Sequence, residues 1–196
     1  MKKLLLLSAF CILLSSKGFS QGFMKKLSQK LEFGIKAGGN YSDFEDAGFS
    51  TDPLAGFHAG ATIAFKVTNN FLIQEEFLYS QQGAKVLAGP LGLQEIKLSY
   101  VNAPILLKYR TNFGLFVEAG PQVSIKVNED IAGFQGADFA KKIDFGVAGG
   151  IGFQSKMGLG IGVRYIYGIE KVMENPSAVF GEFKNNNIQA SIFYRF

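Results

Sequence analysis

From Leu31 onward, hydrophobic and polar positions alternate with a period of two, the mark of strands with two unlike faces. Leu31, Phe33, Ile35 and Ala37 stand against Glu32, Gly34, Lys36 and Gly38. The same rhythm returns over residues 57–66, 71–82, 95–109, 115–126, 143–153, 159–168 and 188–196. Two stretches are imperfect. In 71–82, Ile73, Phe77 and Tyr79 alternate with Gln74, Glu76 and Ser80, while Glu75 and Leu78 break the pattern. In 95–109, Ile96 and Leu98 are out of phase with Val101, Ala103, Ile105 and Leu107, which predicts a β-bulge near Ser99–Tyr100. The pattern thus predicts eight strands, each about ten residues long, the length needed to cross a bilayer at a tilt near 45°.

The connections alternate in length. Those over Tyr41–Ala55, Gly83–Gln94, Asn128–Lys142 and Glu170–Asn186 are long, whereas Val67–Asn70, Arg110–Asn112 and Gln154–Gly158 are short and carry turn residues. Short periplasmic turns and long outer loops are the habit of outer-membrane barrels.

Alternation alone does not say which face is inside. A soluble, secreted lipocalin-like carrier would alternate too, with its apolar row inward. Three features favour the inverted sense. The polar row is rich in Gly rather than in surface Lys and Glu. Its charges are of both signs, with Glu32, Glu76, Glu118 and Asp144 against Lys36, Lys66, Lys108, Lys126, Arg164 and Arg195, a mixture able to pair across a narrow lumen. The last strand ends on Ile192, Tyr194 and Phe196, spaced by two, and resembles the signal read by the barrel assembly machinery. The predicted fold is therefore all-β, an eight-stranded antiparallel up-and-down transmembrane β-barrel.

Composition adds little until the N-terminus is set apart. Met1-Lys2-Lys3, the apolar run Leu4–Leu14 and the small residues Gly18 and Ser20 predict a secretory signal over residues 1–20, with cleavage before Gln21. Removing Lys2, Lys3 and Lys17 from the 20 basic residues leaves 17 against 16 acidic ones, a net charge of +1. No nucleic-acid partner is implied. The one Cys, Cys11, falls within the signal. Residues 21–30 are then a short periplasmic lead, and 31–196 the barrel domain.

The stretches Phe77-Leu78-Tyr79-Ser80-Gln81-Gln82-Gly83 and Tyr100-Val101-Asn102-Ala103-Pro104-Ile105-Leu106-Leu107-Lys108-Tyr109, with the Tyr-Arg-Phe ending, resemble the PorT-like outer-membrane β-barrel family of Gram-negative Bacteroidota. The resemblance spans nearly the whole chain after the signal, but its motifs mark strands rather than chemistry. It implies a cell outer-membrane location. Since some family members serve protein secretion and gliding machinery, it also admits an accessory role of that kind.

Candidate chemistry is sparse. His58 is the only histidine, and with no Cys beyond the signal a zinc site is not expected. No cofactor is expected either. His58 lies near the outer end of the second predicted strand, close to Asp43, Asp46 and Asp52, so a lipid-modifying enzyme built on it is one alternative. Gly149-Gly150-Ile151-Gly152 lies within alternating strands and lacks a following helix, so it is no phosphate loop. A small-solute or weak ion channel is another alternative, although eight strands leave a lumen that side chains can fill. The leading expectation is a non-enzymatic structural or interaction scaffold. Its partners are outer-membrane lipid and lipopolysaccharide, the assembly machinery and a secretion or surface protein. The acidic first outer loop (Asp43, Glu45, Asp46, Asp52) and the loop residues Phe44, Phe49, Phe134, Phe139, Phe180 and Phe183 are candidate contacts.

Overall fold

The computed structural model describes residues 28–47, 50–88, 94–131, 140–172 and 183–196. The expected signal, Cys11 and most of the lead lie outside the described residues, as do Phe49, Phe134, Phe139 and Phe180. The chain divides into two units, Met1–Leu31 and Glu32–Phe196.

Eight strands form one closed antiparallel barrel in sequence order: β1 Leu31–Glu45, β2 Ser50–Lys66, β3 Phe71–Ala88, β4 Gln94–Arg110, β5 Leu115–Ile131, β6 Ile143–Gln154, β7 Leu159–Gly168 and β8 Lys184–Arg195. β1 closes on β8 from Gly34 opposite Arg195 to Glu45 opposite Lys184, which leaves no free sheet edge. Among the described residues no helix is long and apolar enough to cross a membrane; the crossing elements are strands.

The faces sort as in a membrane barrel. Phe33, Ile35, Phe77, Ile105, Val117, Ile151, Ile161 and Ile192 are exposed on the outside, while Glu32, Lys36, Glu76, Lys108, Glu118 and Arg164 are buried within. With no Trp in the chain, Phe and Tyr form the aromatic girdles. The Phe71–Tyr109 and Tyr194–Phe196 ring pairs lie toward the short turns, and Phe57–Tyr79 toward the other end. The short turns close tightly: Gly114 (φ 107°) and Gly158 (φ 93°) adopt left-handed backbone that suits glycine.

Three expectations need correction. First, parts of the long connections are strand. β1 continues to Glu45, β2 begins at Ser50, β3 continues to Ala88 and β8 begins at Lys184, so the sheet runs well past the apolar band. Asp43, Glu45 and Asp52 therefore belong to strands rather than to a loop. Cross-strand pairing explains why: Glu45 stands opposite Lys184 and Asp52 opposite Lys85, partners of opposite charge.

Second, β4 does not change phase. Ile96, Leu98, Tyr100, Asn102, Leu106 and Lys108 are all buried along one inward row. The register does shift at Ser99/Tyr100, but the extra residue, Val127, is on β5, since Ser99 faces Asn128 and Tyr100 faces Lys126. Ile96 and Leu98 are apolar because the lumen itself is apolar there. They join Phe44, Val86, Tyr100, Ile131, Val172 and Phe183 in a core inside the outward end of the barrel.

Third, Phe44 and Phe183 are not exposed contact residues. Their rings pack 4.5 Å apart inside that core.

Candidate functional site

The lumen is built in tiers, supplied by the even-numbered rows of β1–β7, which become odd on β5 beyond Val127, and by the odd-numbered row of β8. Glycine makes the central tier possible. Gly150 faces Glu118 on one side and Arg164 on the other, so two long side chains meet over a residue with no side chain of its own. Arg164 forks Glu76, with Nη1 to Oε2 and Nη2 to Oε1 both at 2.8 Å, and its Nε donates to Glu118 Oε1 at 3.0 Å. Lys36 lies 3.3 Å from Glu76, and Lys108 3.3 Å from Glu118. Gln74 Nε2 donates to Glu76 Oε1 at 2.6 Å while its Oε1 accepts from Lys108 at 3.2 Å. Lys108 also sits 3.7 Å over the Phe116 ring, a cation–π contact in a water-poor setting. Three cations thus meet two carboxylates, and Glu76 is wholly buried.

A second cluster fills the short-turn mouth. Glu32 accepts from Arg110 at 2.9 and 3.0 Å, from Arg195 at 2.7 Å, and pairs with Lys66 at 2.8 Å. Arg110, the first residue of a short connection, is not among the expected lumen charges. Its parity with Lys108 along β4 was the available sign that it points inward.

His58 lies above the central tier. Because β2 starts at Ser50, it is eight residues inside the strand, not near its outer end, and it is 1% exposed. Its Nδ1 lies 2.8 Å from Asn40 Oδ1 and its Nε2 2.9 Å from Ser191 Oγ. Asn40 Nδ2 donates to Phe57 O, Ser80 Oγ and Gln81 O, so Asn40 Oδ1 is the acceptor and Nδ1 carries the proton. Among the described residues no carboxylate hydrogen-bonds to the ring.

The remaining predicted residues scatter. Lys126 is joined to Glu129 and donates to Ala140 O near the outward end. These partners, three apart in sequence, share a face because the bulge at Val127 lies between them. Asp144 is buried, with Oδ1 lacking a hydrogen-bond partner among the described residues. Asp43 Oδ1 accepts from Phe44 N, and Glu45 Oε2 from Asn186 Nδ2; the four acidic residues form no shared site. Glu95, beyond the apolar band, has its carboxyl held below its usual range by the hydrogen bond from Lys97 at 3.0 Å. Ile192, Tyr194 and Phe196 are exposed on the outer face.

Residues 19–174 match the family model described as outer membrane protein beta-barrel domain, well over half the chain. The protein belongs to that family. Its place is the outer membrane. Several solved structures share the fold. Neisserial surface protein A is 18% identical, with a TM-score of 0.54 over 84% of this chain and 97% of that one. OprG from Pseudomonas aeruginosa is 16% identical, with a TM-score of 0.53 over 84% and 95%. The attachment invasion locus protein Ail of Yersinia pestis is 15% identical, with a TM-score of 0.52 over 84% and 98%. No curated protein sequence matches. Membership in this family sets the soluble-carrier alternative aside, and the buried charges agree with it.

Proposed function

We propose that this outer-membrane barrel is a non-enzymatic interaction scaffold whose lumen is closed and whose working surface is the part of the sheet beyond the apolar band. The observation that carries this reading is the double closure of the interior. The Arg164–Glu76–Glu118 cluster fills the centre, and the core around Phe44, Leu98, Tyr100 and Phe183 fills the outward end. A closed lumen argues against a solute or ion channel. The engagement of both His58 nitrogens by Asn40 and Ser191 argues against a hydrolytic enzyme centred there.

What remains accessible is an outward strand extension carrying Asp43, Glu45, Asp52, Lys85, Glu95 and Lys97, a mixed-charge rim suited to a protein or lipopolysaccharide contact. Among structural relatives, Ail of Yersinia pestis has been crystallised with the heparin analogue sucrose octasulfate, so a barrel of this fold can bind a polyanion. The PorT-like resemblance, a Bacteroidota source, the signal over residues 1–20 and handling of Ile192, Tyr194 and Phe196 by the assembly machinery are parts of this proposal. So is an accessory role in secretion or surface assembly.

The test is mild crosslinking in intact outer membranes. Wild type should yield a defined partner, and a variant with Asp52, Lys85, Glu95 and Lys97 neutralised should lose it while keeping its folded-barrel gel mobility. The scaffold reading fails if neither protein is crosslinked to anything beyond lipid.

A further inference from the structure

The short-turn mouth carries more positive charge than its own carboxylate neutralises. Lys66, Arg110 and Arg195 all converge on Glu32, so three cations share one anion and the cluster keeps an excess of two positive charges. Among the described residues, every ion pair of these three cations ends on Glu32. Lys156 stands in the adjoining β6–β7 turn and has no ion pair among the described residues.

Between that turn and the β4–β5 turn lies a cavity of about 120 Å³, lined by Arg110, Arg195, Lys156, Gln154, Ser155 and Phe113 among others. This is well above the ~15 Å³ that admits a single water. Two residues lining it carry buried donors with no acceptor among the described residues. Gln154 is 5% exposed; its Oε1 accepts from Arg110 at 2.7 Å, while its Nε2 is unpartnered. Ser155 Oγ is likewise buried and unpartnered. The walls are fixed. Gly114 N bonds Thr111 O, Gly158 N bonds Ser155 O, and the two glycines pack against the carbonyls of Gln154 and Arg195.

We propose that this mouth is an oxyanion site for a phosphate group. Residues carrying guanidinium, ammonium, amide and hydroxyl donors line one cavity beside a charge cluster with a positive excess, which is the donor set a tetrahedral oxyanion accepts from. The turn tips also hold apolar side chains outward, with Phe113 67% and Met157 78% exposed. Short turns of outer-membrane barrels lie at the periplasmic face, so these tips meet the inner leaflet. Phosphate can reach the site as a phospholipid headgroup or as the free ion.

Folded protein in dodecyl maltoside, which carries no phosphate, distinguishes the two sources. One arm adds phosphatidylglycerol, or a galactosyl diacylglycerol with the same acyl chains, and reads lipid retention by native mass spectrometry. The other titrates inorganic phosphate and reads the unfolding temperature. The comparison variant is Lys156→Gln with Ser155→Ala, which breaks no internal ion pair and so should keep the folded-barrel gel mobility; Arg195→Gln is the second variant. Retention of phosphatidylglycerol several-fold above the galactolipid, lost in the variants, assigns the site to a headgroup. A rise in unfolding temperature with phosphate, absent in the variants, assigns it to the free ion. Equal retention of both lipids with no response to phosphate overturns the proposal, as does a response that survives both variants.

Discussion

Single residues decide the energetics of this barrel because each inward side chain has a fixed set of partners. Arg164 is the clearest case, since among the described residues it alone hydrogen-bonds both Glu76 and Glu118. Arg164→Met should leave two buried carboxylates with weakened compensation and cost about 3–5 kcal/mol, read as a lower urea midpoint for unfolding from lipid vesicles. An unchanged midpoint would show that Lys36 and Lys108 suffice. Glu75 is the opposite case. It interrupts the outward row between Ile73 and Phe77, with Ile63 and Ile105 as its cross-strand neighbours, so its carboxyl faces lipid near the middle of the apolar band. Arginine or lysine at such a depth costs about 2–4 kcal/mol and an acid somewhat less. Glu75→Leu should therefore stabilise the barrel by about 1–2 kcal/mol in the same assay, and a destabilised variant would mean that the carboxyl has a partner in the membrane.

At the scale of the strand, the alternation made the barrel legible and also hid its outer half. Period two fixes parity, and in every stretch the row that carries Glu32, Glu76, Lys108 or Arg164 is the inward one. Parity cannot tell whether the lumen is polar or apolar at a given height, so Ile96 and Leu98 read as a change of face when the change was in the filling. Leu78 misled in the same way: it is buried inside, in phase with Glu76. The tiers were not legible either, because Arg164 meets Glu76 across 88 positions, and only register brings them level. The bulge tests the scheme. Deleting Val127, the residue that the β4 register skips, should let β5 alternate without a break while Glu129 stays beside Lys126 and Ile131 stays in the apolar core. Amide hydrogen exchange in the outward extension should then be unchanged or slower, with Leu115–Ile125 protected as before. Faster exchange in the extension would show that the bulge itself is needed to seat Glu129 and Ile131.

Across the whole molecule, the order of the tiers matters more than any one of them. Moving outward from the short turns, a path through the lumen meets the cations around Glu32, then the Arg164 cluster, then the hydrogen-bonded layer of His58, Asn40 and Ser80, and last the apolar core with Phe44 and Phe183. Closures in series each suffice alone, so opening one should not open the barrel. Wild type in a planar bilayer should show no steady conductance. Neither should the triple variant Glu76→Gln, Glu118→Gln and Arg164→Ser, whose apolar core is intact, nor the pair Phe44→Ala and Phe183→Ala, whose charged cluster is intact. Combining the two sets should produce a measurable current, provided the gel shift shows that the barrel still folds. A steady wild-type conductance would contradict the closed lumen. Current from either single set would show that the remaining closure does not seal, and that one tier alone holds the barrel shut.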